Sequence, residues 1–251
     1  NVVRTSSAGS GVWDVGIEYT SRDVPAPRGS ISYSGRNGQF EYGLGASVFS
    51  IYRAVVGWRE LSDANGDVTG TVDTPSPRDY REGALNGNIA FPLAGGRFSA
   101  TGEVRADRFH ADSDFFFFDA AGAPDFSLLT VYEERNRGFE LGRNYDRDLG
   151  PWALAAVGLV NRNRYESEED ARFEDALGAL VSTQTQEVRQ DSGETILRGA
   201  LSRPFGARHR VEFGAEAALN TLEQQLAFVS DPPTGPIPNS NVDIEEERAE
   251  V

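Results

Sequence analysis

The chain has 251 residues, 39% hydrophobic and 25% charged, with a net charge of −15. That charge opposes a nucleic-acid partner, because phosphate is repelled unless a basic patch stands apart. All 24 basic residues are Arg, there is no Cys, and His110 and His209 are the two histidines, which leaves no thiol chemistry and little material for a His-rich metal or acid–base site.

Period-two alternation, the mark of strands with one apolar face, organises the chain from its start. Strands are expected over 12–20, 28–34 and 39–52. In the third, Phe40, Tyr42, Leu44, Ala46 and Val48 oppose Gln39, Glu41, Gly43, Gly45 and Ser47. The next covers 80–93, where Leu85, Gly87, Ile89, Phe91 and Leu93 oppose Ala84, Asn86, Asn88 and Ala90. In 97–109, Phe98, Ala100, Gly102, Val104 and Ala106 alternate with Arg97, Ser99, Thr101, Glu103, Arg105 and Asp107. Less regular strands follow over 129–145 and 152–164. Segment 189–203 sets Thr195, Leu197, Gly199 and Leu201 against Glu194, Arg198 and Ser202, with Ile196 interrupting the polar side. In 208–222, Val211, Phe213, Ala215, Ala217 and Leu219 oppose Arg210, Glu212, Gly214, Glu216 and Asn220, and a tenth strand is expected from about 245. Runs of about ten to fifteen residues exceed the mean of about 5–6 for strands of globular proteins.

Short turns marked by Gly or Pro fall at Gly35–Gly38, Ala94–Gly96, Leu149–Pro151 and Pro204–Ala207. Between them lie polar stretches over 53–79, 110–128, 165–188 and 223–247, read as long loops. Short and long connections therefore alternate, as in an outer-membrane barrel with short periplasmic turns and long extracellular loops. The recurrence of about 55 residues reads as a hairpin rhythm, without the self-similarity of a propeller or solenoid. No window approaches eighteen apolar residues, and the mean hydropathy is −0.44. Neither observation opposes a barrel, whose alternating strands keep the average low.

The opening Asn1-Val2-Val3-Arg4-Thr5, followed by a Ser/Gly stretch, resembles the last plug strand of TonB-dependent outer-membrane receptors. Residues 28–49, RGSISYSGRNGQFEYGLGASVF, resemble the early hairpin of the same family's barrel. The likeness is recognisable in wording over about 1–50 and in rhythm over most of the chain. It implies an all-β, antiparallel transmembrane barrel, of which this chain would be part: residues 1–10 the end of the plug and linker, and 11–251 nine to ten strands of a 22-stranded wall. Almost the whole of the family's plug, and the energy-coupling box preceding it, have no counterpart here, and the acidic run 243–251 does not resemble its aromatic closing strand. Together with the absence of Met, these departures point to an internal stretch of a longer receptor.

The implied function is import of a scarce nutrient across the bacterial cell outer membrane, driven by the TonB energy-transducing complex. The implied substrates are a ferric siderophore, haem, cobalamin or a glycan, and outer-membrane lipid and lipopolysaccharide would surround the barrel. Two other readings stay open: a small complete outer-membrane barrel with a structural or adhesive role, and a soluble β-sandwich binding module.

The polar face carries Glu103, Arg105, Asp107, Arg198, Arg210, Glu212 and Glu216, suited either to a solvated lumen or to plug and substrate contacts. Arg105, Arg198 and Arg210 are taken as substrate-binding candidates, together with Phe115, Phe116, Phe117 and Phe118. Four successive Phe cannot face one way in a strand, so they read as a membrane-rim girdle, a loop cluster or a ligand-contacting patch. Asp63-Ala64-Asn65-Gly66-Asp67 has the spacing of a calcium-loop opening, but its Gly is at the fourth position and Thr74 stands where Glu is needed, so it reads as a turn. The acidic runs Glu166–Asp170 and Glu245–Glu247 read as loop surface, with divalent cations bridging to lipopolysaccharide as an alternative. No G-x-S-x-G, P-loop or H-E-x-x-H motif is present, and Glu133 and Glu134 are adjacent, so a strand would point them to opposite faces. No enzymatic activity, catalytic residue, cofactor or metal site is expected.

Overall fold

The structure, a computed structural model, describes residues 9–19, 24–206, 208–232 and 240–250. The plug-like opening Asn1–Thr5 lies outside the described residues. Ten strands form a single open antiparallel sheet in sequence order: β1 (Ser10–Tyr19), β2 (Pro25–Asn37), β3 (Phe40–Ser62), β4 (Val68–Leu93), β5 (Gly96–Asp119), β6 (Pro124–Leu149), β7 (Trp152–Asp175), β8 (Leu180–Phe205), β9 (His209–Asp231) and β10 (Ser240–Glu250). The order expected from the alternation is therefore present, with β10 beginning at Ser240 rather than near 245.

The strands are much longer than expected. From β3 to β9 they run for 23 to 26 residues, about 80 Å at ~3.3 Å per residue. The stretches read as long loops over 53–79, 110–128 and 165–188 are strand continuing to tight hairpins, and β9 and β10 occupy most of 223–247. Glu166–Asp170 lies within β7 and Glu245–Glu247 within β10, so neither is a loop. Phe115–Phe118 likewise belong to β5.

Three distal hairpin tips share one construction. Asp63 Oδ1 accepts from the amides of Asn65 (2.8 Å) and Asp67 (2.9 Å). Asp119 does the same for Ala121 and Ala123, and Asp175 for Leu177 and Ala179. Each tip has Gly at positive φ, namely Gly66 (89°), Gly122 (78°) and Gly178 (78°), where a side chain would be strained. The ladder slips register at Leu61, Phe117 and Phe173, two residues before each Asp. Asp63 is thus a turn residue whose carboxylate is used by its own hairpin. The pattern apolar-x-Asp-Ala-x-Gly recurs at 61–66, 117–122 and 173–178, each 56 positions after the last. The chain accordingly carries a local sequence repeat at the tips, which corrects the reading of rhythm without self-similarity.

Register places the five apolar rows on one face of the sheet. Leu44 opposes Gly87, which opposes Gly102, then Leu141, Val160, Thr195 and Leu219. On this Leu44 face an apolar band crosses β1 to β9, nine residues tall on β5 from Phe98 to Ala106. Its side chains have no second layer over them: Leu44 is 66% exposed, Leu85 62%, Val104 57% and Phe213 64%. Toward the short turns the band ends in aromatic rings, with Phe40–Phe91 centroids 5.9 Å apart, Phe91–Phe98 5.3 Å and Trp152–Phe213 6.2 Å. The opposite face, carrying Glu103, holds every buried non-glycine residue among those described: Ala26, Val72, Ser76, Ala90, Ala111, Thr130, Ser182, Ser202 and Ser230.

Candidate functional site

Above residue 107 of β5 the alternation inverts. The Leu44 face now carries Arg108, His110, Asp112 and Asp114, while Phe109, Ala111, Phe115 and Phe117 turn to the Glu103 face. The same inversion on neighbouring strands brings Phe49, Tyr80, Tyr132 and Tyr165 to the Glu103 face at about this height. Phe49 and Tyr80 rings lie 6.2 Å apart and Phe109 and Tyr132 rings 6.0 Å apart.

The phenols are tied to carboxylates. Tyr80 Oη donates to Glu82 (2.6 Å) and Tyr132 Oη to Glu134 (2.9 Å), with Tyr132 and Tyr165 hydroxyls 3.1 Å apart. Burial, then hydrogen bonding to Tyr165 and Glu134, raises the Tyr132 pKa; burial and the bond to Glu82 raise that of Tyr80. Both phenols therefore remain protonated donors at neutral pH. Asn136 Nδ2 donates to Asp107 Oδ2 and Glu134 Oε1, both at 3.1 Å, linking the aromatic cluster to the polar rows beneath it.

Beneath lies a polar hollow of about 310 Å³ whose lining includes Glu103, Arg105, Asp107, Asn136, Asn161 and Asn163. Gly138 and the amide side chains make room here, since a Cβ on Gly138 would meet Asn163 Oδ1 at 2.8 Å. Carboxylates, amides and the guanidinium of Arg105 can between them donate to and accept from hydroxyl groups, and the rings above offer stacking faces. Among the described residues, no group of three or more His, Cys, Asp or Glu is arranged to hold a metal ion.

The residues singled out from sequence are not gathered in one place. Arg105 lines the hollow. Arg198 stands on the same face, paired across β9 with Glu216 and level with Ser99, six residues nearer the short turns on β5. Arg210 lies at the short-turn end, donating to Ser202 Oγ (2.6 Å). The four Phe alternate as expected for strand: Phe115 and Phe117 on the Glu103 face, Phe116 on the other, with Phe118 at the register slip. Phe117 stacks on Phe126 with centroids 4.0 Å apart, beside the cross-strand partner Val72, which is 1% exposed. This stack closes the distal hairpin, far from the short-turn aromatics. Glu133 and Glu134 point to opposite faces, as expected.

Sequence reasoning missed Tyr80, at a strand's margin, and Tyr132, Asn136, Asn161, Asn163 and Tyr165, which lie in or beside the less regular strands expected over 129–145 and 152–164. No protein-family model, curated protein or solved structure matches the chain.

Proposed function

We propose that the ten strands form part of the wall of a transmembrane β-barrel in an outer-membrane active-transport receptor of the TonB-dependent kind, with the Leu44 face toward lipid and the Glu103 face toward the lumen. The observation that carries this reading is the apolar band, continuous over nine strands yet nine residues tall on β5. Membrane-spanning strands need about 9–11 residues, and a lipid-facing band stands about 25 Å tall between aromatic girdles. In water, a band of this extent would drive association; against acyl chains it is the stable surface. The short-turn aromatics fit one girdle, and the strands beyond the band extend the wall outside.

Among the nutrient classes considered, the Glu103 face favours a polyhydroxylated solute such as a glycan. Asn136, Asn161, Asn163 and the neighbouring carboxylates match hydroxyl groups, and Phe109, Tyr132 and Tyr165 supply flat apolar surface for a sugar face. Heat-modifiable migration and partition into detergent test the barrel; a protein that stays in the aqueous phase refutes it. Calorimetry with oligosaccharides tests the solute, with N136A/N163A expected to weaken binding about tenfold or more, since each lost hydrogen bond is worth about 1 kcal/mol. Equal binding by the variant refutes the assignment of the hollow.

A further inference from the structure

The two faces of the sheet balance their charge differently. On the Leu44 face above the apolar band, acids are matched by arginine. Glu133 accepts from Arg108 (2.7 Å) and Arg135 (2.9 Å), and Asp191 from Arg164 (2.7 and 3.0 Å). On the Glu103 face of β4–β7, the rows from the hollow to the aromatic cluster carry six carboxylates: Glu82, Glu103, Asp107, Glu134, Glu140 and Glu169. Two guanidinium groups, Arg78 and Arg105, share this block with them. Among the described residues, none of the six carboxylates lies in an ion pair. Glu103 directly opposes Glu140, a placement of like charges that destabilises a ladder. Glu82, Asp107 and Glu134 accept from neutral donors, namely Tyr80, Asn136 and Tyr132, which leave the charge in place.

The hollow itself is lined by Glu103, Asp107 and Glu140 and by Arg105. Arg162 also borders it, but this residue is in phase with Phe139 on the Leu44 face. Its guanidinium is bonded to the carbonyls of Asn161 (2.6 Å) and Glu194 (2.8 Å) and to Thr195 Oγ1 (3.0 Å) on that face. Arg78 donates to Ser76 (3.3 Å), on the side away from the hollow. Carboxylate is therefore in excess where a solute would sit, and an anionic solute would meet like charge. The tier above adds ring faces that are inclined to one another. Phe109 and Tyr132 stand at 60° with centroids 6.0 Å apart, and Phe49 and Tyr80 at 58° and 6.2 Å. Such faces attract an ammonium group within about 6 Å of the ring. We propose that the hollow binds a hydroxylated solute bearing protonated amines, an oligosaccharide of unacetylated amino sugars. Its ammonium groups lie against Glu103, Asp107 and Glu140, and its hydroxyl groups meet Asn136, Asn161 and Asn163. The inference rests on the polyhydroxylated-solute reading above and names the charge that this solute carries.

Calorimetry of the full chain in neutral detergent tests it, with tetrasaccharides of glucosamine, N-acetylglucosamine and glucose as probes. The glucosamine form is expected to bind at least about tenfold more tightly than the other two, because charge-assisted hydrogen bonds exceed neutral ones. The preference should narrow in high salt. E103Q/E140Q keeps the shape and hydrogen-bonding capacity of the hollow and should abolish the preference without weakening the glucose form. D148N, at the short-turn end of the same face, should leave it unchanged. Equal binding of the glucosamine and glucose forms overturns the amine assignment and leaves the hydroxyl reading standing; binding of none of the three overturns both. A preference indifferent to E103Q/E140Q removes it from the hollow, and displacement by methylammonium at equal concentration reduces it to a bare cation site; either result overturns the proposal. Where E103Q/E140Q does not fold, R105Q decides: loss of the guanidinium should tighten the glucosamine form about threefold, and weaker binding overturns the proposal.

Discussion

Leu44 stands in the middle row of the apolar band, level with Gly102 and Leu141, and is 66% exposed on the sheet. If that face meets lipid, Leu44→Arg brings a guanidinium close to the bilayer midplane, at a cost of about 2–4 kcal/mol. That corresponds to a folding equilibrium about 30- to 700-fold less favourable. If the face meets water, the substitution removes an exposed side chain touching little, and surface changes of this kind stay within about 0.5 kcal/mol. The matched control is Asn86→Arg, at nearly the same height on the opposite face, where Asn86 pairs across β5 with Glu103 and the new cation has a carboxylate at hand. It should change stability by less than about 1 kcal/mol. Reversible urea unfolding from lipid vesicles, followed by tryptophan emission and heat-modifiable migration, measures both. L44R as stable as wild type refutes the assignment of faces, and N86R costing more than L44R reverses it.

At the second distal tip, Asp119→Ala removes two amide–carboxylate bonds and should cost about 1 kcal/mol, read as a lowered denaturant midpoint. Gly122→Ala, at φ 78°, should cost about as much through backbone strain alone. Amides of Asp67 and Asn65, bonded to Asp63, hold its carboxyl below the usual carboxylate range. A depressed folded-state pKa makes this contribution present above the unfolded value of about 3.8 and lost as pH falls through the lowered one. The Asn65 and Asp67 amide resonances should therefore shift together below that value, and a midpoint at or above about 4 would contradict the turn. Phe117 and Phe126, stacked at 4.0 Å, should show a coupling of about 0.5–1.5 kcal/mol in a double-mutant cycle; additivity would mean that the stack is incidental.

The lower half of each long strand was legible because one face there is consistently apolar. Phe98 to Ala106 and Val211 to Leu219 define the Leu44 face in sequence as plainly as in register. The upper halves were read as loops for a physical reason. Past Asp107 the chain still alternates, but Arg108, His110, Asp112 and Asp114 occupy the former apolar phase, and Phe109 and Ala111 the former polar one. A period-two search keyed to one phase ends where the phase changes. The distal tips had a readable signal, apolar-x-Asp-Ala-x-Gly at 56-residue spacing, which the hairpin rhythm suggested but did not expose. The aromatic–carboxylate cluster had no linear signal, because Tyr80, Tyr132 and Tyr165 meet only through the register of four strands.

The phase inversion also bears on which surroundings the sheet requires. A second sheet stacked on it would cover one face along the whole strand, and the apolar phase would then be constant from short turn to distal tip. Here the apolar side changes part-way along adjacent strands, between Ala106 and Arg108 on β5, Phe139 and Arg137 on β6, and Val160 and Arg162 on β7, one row lower on each strand in turn. A boundary that steps regularly from strand to strand is what tilted strands crossing a flat interface would give, and it supports the membrane proposal over a packing partner. Lipid on the Leu44 face below that level and water above it account for both phases.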